Sequence, residues 1–378
     1  MINPTWSEGI IPFTPDTPVA PRHFVGQESQ LNELRQIWTQ HECSTPVLIH
    51  GGKRMGKTSL LNKAADLLLE QTTFVILDCA PLAIIPEETD IARHVLSELI
   101  GELSRKVWFT SSQVSDIDNV DTLYTTLRDM GRQLQERANR QRHVLVFDNY
   151  QLLCPHIANW RFRLNPLEIL YQITRLHPNL GFAVVGSWPI FDTVSCIRNI
   201  EPDMRLLQVR PLSPADVRTF FGNLLPDLLL YFETETSDKI FLETGGHPYL
   251  IHKIGCLLMR KFYAERDQGN ARPYFTAQDV EVVLRQEFDE LQQRLLQGSG
   301  QGPRRSILTF LAWNVDSESD PISNVVTFET IQANFSQSPE ATRDTLDQLE
   351  RLGFIVNPEE NAWRIAYTSW IEWIQEWT

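Results

Sequence analysis

Long apolar runs are missing from this sequence. Leu224 to Phe232 is broken by Pro226 and Asp227, and no segment approaches the ~20 residues needed to cross a bilayer. Basic charge is also short: 34 Lys and Arg face 48 Asp and Glu, for a formal net charge of -14. A chain of that sign gains nothing from counterion release on DNA, so nucleic acid is not an expected partner unless a local basic face exists. Lysine is scarcer than arginine, and arginine suits bidentate pairing with carboxylate or phosphate. Cysteine is limited to Cys43, Cys79, Cys154, Cys196 and Cys256, with no Cys-x-x-Cys spacing. That pattern predicts buried free thiols in a reducing compartment. Met1 to Phe24 lacks a basic flank followed by an apolar core, so no signal peptide is expected and the predicted location is cytoplasmic. Repeat arrays and low-complexity tracts are absent too.

What is present is alternation. A proline-punctuated extended arm is expected over 1–23, and a helix from Glu28 to Trp38. Short β-rich runs follow at 47–50, 74–78, 144–148, 182–186 and 206–209, with helical patterns near 57–68, 91–106, 123–140 and 167–176. Short apolar strands alternating with helices predict an α/β fold with a parallel sheet covered on both faces, here over 24–211. From Ser213 the strand signal stops. Ser213 with Pro214, and later Thr276, read as helix caps, which predicts a helical domain over 212–297. Gly298 to Pro303 reads as a linker. Over 304–378, helices at 307–313, 328–335 and 340–352 precede strands at 354–356 and 363–366 around a turn at 357–361. Three helices and a hairpin predict a winged helix.

The residues with the most specific chemistry are Gly51-Gly52-Lys53-Arg54-Met55-Gly56-Lys57-Thr58, a G-x-x-x-x-G-K-[ST] phosphate loop. It follows a buried strand and opens a helix, as the motif requires. Glycines let backbone N–H groups converge on phosphates, and the helix N-terminus adds its dipole. Lys57 supplies positive charge to the β and γ phosphates, and the Thr58 hydroxyl ligates Mg²⁺. The acidic partner, the Walker B aspartate, is Asp148 after His143-Val144-Leu145-Val146-Phe147. The intervening strand ending at Asp78 is expected to lie between the phosphate-loop strand and the Asp148 strand, as in the additional-strand P-loop NTPases.

These residues resemble the STAND and archaeal-type ATPases, relatives of the AAA+ group. Phe24-Val25-Gly26-Gln27-Glu28 is similar to a box that packs Val25 against adenine, although Gln27 stands where the family has arginine. Gly52 to Leu61, including Ser59, resembles the family's phosphate loop. Asp148-Asn149-Tyr150-Gln151 resembles its Walker B segment, and Gly186-Ser187 its strand-end sensor of the γ-phosphate. Val209 to Ser213 looks like the entry to its helical lid, and Gly245-Gly246-His247-Pro248-Tyr249-Leu250 like a turn whose proline, Pro248, touches the nucleotide. The resemblance implies ATP and Mg²⁺ as ligands. It also implies a nucleotide-dependent homo-oligomer that switches a protein effector or sensor supplied in trans, in bacterial signalling or defence.

One departure bears on turnover. Asn149 occupies the family's glutamate position, and an amide can orient water but cannot take its proton. Slow hydrolysis is therefore expected, or hydrolysis helped by a partner's group. A scaffold that binds nucleotide without turnover and a DNA-loaded ATPase remain alternatives. Arg205, with Arg198 second, is the residue that the resemblance points to as an arginine reaching a neighbouring subunit's nucleotide. Arg54 reads as a loop-fixing or inter-domain ion pair, and His247 as a residue that holds its turn or senses the domain interface. Helix 340–352 carries Glu340, Asp344, Asp347 and Glu350 against Arg343 and Arg351, which favours a protein contact over a DNA reader. Trp370, Trp373, Ile374 and Trp377 recur at helical spacing, as core or as a docking face.

Overall fold

The computed structural model describes residues 11–39, 45–81, 142–152, 179–187, 203–224, 230–296, 301–314 and 325–376, with scattered positions between 98 and 177. Arg198, Trp377, Cys43, Cys154 and Cys196 lie outside the described residues, as does most of the helical pattern expected over 91–106, 123–140 and 167–176. The chain divides into two compact units. One comprises Gln27–Gly51 and Lys57–Val209; the other comprises Met1–Gly26, Gly52–Gly56 and Arg210–Thr378.

The first unit is built on five parallel strands: β1 (Val47–His50), β2 (Thr72–Asp78), β3 (Arg142–Asp148), β4 (Leu180–Gly186) and β5 (Arg205–Gln208). Their lateral order is β2-β3-β4-β1-β5. This is the P-loop NTPase sheet with an additional strand, as expected, but the strand between β1 and β3 is β4 rather than β2. The physical reason is in the side chains. Every residue of β4, Leu-Gly-Phe-Ala-Val-Val-Gly, is buried, which suits a central strand covered on both faces. β2 has half-buried positions and an exposed end, and it takes an outer place beside β3. Helix α1 (Glu28–Thr39) buries Leu31, Leu34 and Trp38, with the Trp38 ring edge-on to Phe74 at 5.1 Å. Helix α2 (Lys57–Leu67) buries Leu60, Leu61 and Ala64.

The second unit has helices α3 (Pro214–Leu224), α4 (Thr234–Thr244), α5 (Pro248–Asp267) and α6 (Ala277–Leu296), with a small parallel pair β6 (Tyr231–Phe232) and β7 (Tyr274–Phe275). Two capping boxes start α3 and α6. Ser213 and Asp216 exchange backbone-to-side-chain bonds, as do Thr276 and Asp279, satisfying donors that the first turns leave over. Phe13 of the arm is buried against Phe220 and Phe221. The space for its ring exists because position 255 is glycine: a Cβ there would stand 2.4 Å from Phe13. The Thr14 N–H donates to His252 Nδ1 at 3.0 Å.

Further along are α7 (Gln301–Trp313), β8 (Val326–Thr327), α8 (Phe328–Asn334), α9 (Pro339–Leu352), β9 (Ile355–Glu359), β10 (Ala362–Ile365) and α10 (Thr368–Gln375). The antiparallel sheet order is β8-β10-β9. Two expectations change. The linker over 298–303 is cut short because α7 already begins at Gln301; Pro303 fits the first turn, where its missing N–H would have had no intrahelical partner. β9 continues through Pro358 to Glu359, which an outer strand tolerates, so the turn tightens to Glu360 and Asn361. Trp370 and Ile374 are fully buried, and Trp370 packs against Phe288 at 5.4 Å. Those two members of the tryptophan-rich stripe are core.

Candidate nucleotide site

Three strand ends build the site in the first unit. β1 delivers Gly51 and, past the loop, Lys57 at the start of α2. β3 ends on Asp148, and β4 ends beside Ser187. Because β4 lies between β1 and β3, Ser187 comes to Lys57 from the neighbouring strand. Lys57 is buried, and its Nζ donates to Ser187 Oγ at 2.8 Å and to Gly51 O at 3.1 Å. The Ser187 N–H donates to Gln151 Oε1 at 3.2 Å. Gln151 thus holds the backbone at Ser187, a link the sequence motif alone did not show.

On the other side of the site, Thr58 Oγ1 donates to Asp148 Oδ2 at 2.8 Å, while Asp148 Oδ1 accepts the Asn149 N–H at 2.9 Å. Burial raises the Asp148 pKa, bonds from Thr58 and Asn149 oppose the rise, the charge of Asp78 adds to it and Lys57 opposes it; the net direction is upward. A cation would reverse that balance. A hydroxyl and a buried carboxylate are hard oxygen donors of the kind Mg²⁺ takes together with phosphate oxygens and water, so Thr58 and Asp148 fit the role expected of them. No group of three or more His, Cys, Asp or Glu among the described residues could hold a metal unaided. His50, at the end of β1, has its pKa lowered to about 4 by burial and then by the charge of Lys57, so it stays neutral beside the loop.

The loop residues Gly52–Gly56 cluster with the second unit. Lys53 Nζ pairs with Asp347 at 3.0 Å and with Glu350 at 2.9 Å on α9. Burial works against its charge, but Glu350 and Asp347 outweigh it and the Lys53 pKa is raised. Arg54, in the left-handed region at φ 59°, lies 4.2 Å over the Tyr249 ring and 3.7 Å from Asp16. Met55 is buried. Ser59 is buried in α2.

The remaining expected residues sit in the second unit. Val25 packs, partly buried, against its core. Pro248 is the first residue of α5 and His247 its N-cap. Gly245 closes α4 in the left-handed conformation. Gly246, at φ +73°, accepts a bond from the Leu212 N–H at 2.8 Å, and a Cβ there would stand 2.0 Å from Leu212 O. The segments around Leu212 and Pro248, singled out separately in the sequence, are therefore joined through their backbones.

Arg205 is not brought to this site in its own chain. It pairs with Val47 at the amino end of β5, whereas Gln208 stands beside His50. Three residues at ~3.3 Å each separate it from the strand ends that carry the site. Its guanidinium is exposed and bound to Glu33 of α1.

Comparison with known proteins agrees with the sheet. Residues 40–190 match the AAA domain family. That span contains the loop, Asp148 and Ser187. Among solved structures, the Walker-type ATPase PABY2304 of Pyrococcus abyssi is similar over 96% of this chain and 99% of its own, at 17% identity and a TM-score of 0.52. The Aeropyrum pernix ORC2 protein, in its ADPNP-ADP complexes, is similar over 98% of this chain and 95% of its own, at 13% identity and a TM-score of 0.52. At those identities the likeness shows the fold, a P-loop NTPase. No curated protein matches the chain in sequence.

Proposed function

We propose that the chain is an ATP–Mg²⁺-binding ATPase of low turnover that acts as a switch on a protein effector or sensor supplied in trans. The observation that carries this reading is the pairing of two relays. Lys57 reaches Ser187 at 2.8 Å, and Thr58 reaches Asp148 at 2.8 Å. These two bonds bring together a lysine, a strand-end hydroxyl, a loop hydroxyl and a buried carboxylate, the groups that would turn to phosphate oxygens and Mg²⁺ when a triphosphate binds. When bound, Mg²⁺ would neutralise charge on the β and γ phosphates. Low turnover rests on Asn149, which supplies no carboxylate where the resembled families carry glutamate.

The winged-helix reading of 304–378 is supported by the order helix, short strand, two helices and hairpin. A switch that assembles with nucleotide as a homo-oligomer is the form in which Arg205 would serve, by reaching a second copy's site. A DNA-loaded ATPase is the competing reading, and the acidic surface of α9 speaks against it. The deciding experiment is calorimetry of ATP–Mg²⁺ binding followed by single-turnover phosphate release, with and without duplex DNA. Binding with slow release that DNA leaves unchanged is the expected result. Release accelerated by DNA would replace this reading with the competing one.

A further inference from the structure

Asp78 closes β2 in register with Asp148 at the end of β3. Paired residues on neighbouring strands project to the same face, with backbones ~4.8 Å apart. Asp78 is exposed, Asp148 buried. Asn149 then turns the chain back: its φ of 57° is left-handed, and its Nδ2 donates to Asp78 Oδ1 at 3.0 Å. The Ala80 N–H donates to that same Oδ1 at 3.0 Å. Both bonds fall on one oxygen, so Asp78 is held in a fixed orientation while its Oδ2 accepts no hydrogen bond from a described residue.

We infer that Asp78 is the catalytic carboxylate of this site, orienting the attacking water, and that Asn149 is the positioning residue that holds it there. The inference rests on the ATPase reading above. Asn149, just past β3, supplies no carboxylate where the resembled families carry glutamate, and its amide reaches across to a carboxylate on β2. One N–H of the amide is used in that contact. In the step, the water oxygen bonds to the γ-phosphorus while the bond from that phosphorus to the β–γ bridging oxygen breaks. The electron pair of the broken bond stays on ADP, and the water's proton passes through the Asp78 carboxylate to the released inorganic phosphate. Atoms and charge balance without a further reactant.

The test uses the full chain and three variants, Asp78→Asn, Asn149→Glu and the two together. ATP affinity and its Mg²⁺ dependence are read by calorimetry, and hydrolysis by single turnover. Asp78→Asn keeps an oxygen to accept from Asn149, so its expected ATP affinity and Mg²⁺ requirement match wild type while hydrolysis falls ~10²-fold or more, the usual scale for general-base assistance. Asn149→Glu in the Asp78→Asn background is expected to recover much of the activity. Wild-type hydrolysis in Asp78→Asn overturns the inference, as does a raised Mg²⁺ requirement, which would make Asp78 part of the metal's surroundings. A wild-type protein that binds ATP but never hydrolyses it overturns it as well. Absence of ATP binding by wild type instead removes the ATPase reading, and the inference with it.

Discussion

Lys53 of the phosphate loop is held 2.9 Å from Glu350 on the acidic helix α9, with Asp347 3.0 Å away on the same face. The carboxylates that would repel DNA phosphates thus serve a lysine of the chain itself. Lys53 is half exposed, and ion pairs of that kind contribute roughly 0–1 kcal/mol each. Shape supplies more of the fit, because a Cβ on Gly52 would stand 2.2 Å from Asn357 O.

Gly52→Ala should therefore loosen the loop more than Lys53→Ala does. Hydrogen exchange over 52–56 is the measurement. The expected order of exchange rates is Gly52→Ala fastest, Lys53→Ala intermediate and wild type slowest. Equal rates in all three would mean that α9 and Asn357 do not restrain the loop.

Lys57→Ala should nearly eliminate ATP binding. A hydrogen bond from a charged donor contributes about 1.5–3 kcal/mol, so each bond to phosphate that the variant cannot make costs roughly one to two decades of affinity. Calorimetry at fixed Mg²⁺ gives the answer directly. Unchanged affinity would place the nucleotide elsewhere.

Much of this site is readable in the sequence because its residues are bound by local geometry. A strand, a glycine loop and a helix must follow one another for Gly51 to Thr58 to cradle phosphate, and an apolar strand must end at Asp148. Lateral order is not readable in the same way. Nothing in the chain order of β2, β3 and β4 states which strand lies beside β1, and only the continuous burial of β4 against the half-buried β2 resolves it. Asp78 reads from the sequence as a strand end and no more, since its bond with Asn149 spans two strands and depends on a left-handed backbone at 149. The bonds from Lys53 to α9 join residues some three hundred positions apart, and no spacing rule could have paired them.

Acid should weaken the second unit through His252. Burial lowers its pKa to about 4, against ~6.5 in an unfolded chain. Between those values the unfolded chain takes a proton that the folded one refuses. Stability is therefore complete above pH ~6.5 and falls as the pH drops towards 4, by on the order of 3 kcal/mol for one such imidazole. His252→Gln offers Thr14 an acceptor that does not titrate, and should flatten the fall. Thermal midpoints of both proteins from pH 7 to pH 4.5 test this, and parallel slopes would show that the acid response lies elsewhere.

Duplex DNA should bind weakly or not at all at physiological salt. The chain carries a formal net charge of -14, so association lacks a favourable long-range field. The local charges point the same way. On α9, Glu340, Asp344, Asp347 and Glu350 outnumber Arg343 and Arg351, and both arginines have other partners. Arg343 lies 4.0 Å over the Phe328 ring and bonds Asn361, while Arg351 donates to Asp347 O. Moving either onto a phosphate would give up those interactions, while the neighbouring carboxylates would oppose the approach. Fluorescence anisotropy with a labelled duplex at ~150 mM salt, where screening is already strong beyond about 8 Å, should show no saturable binding below the micromolar range. Sub-micromolar binding that disappears in an Arg343→Ala, Arg351→Ala double variant would overturn this, and would make α9 a DNA-contacting helix despite its charge.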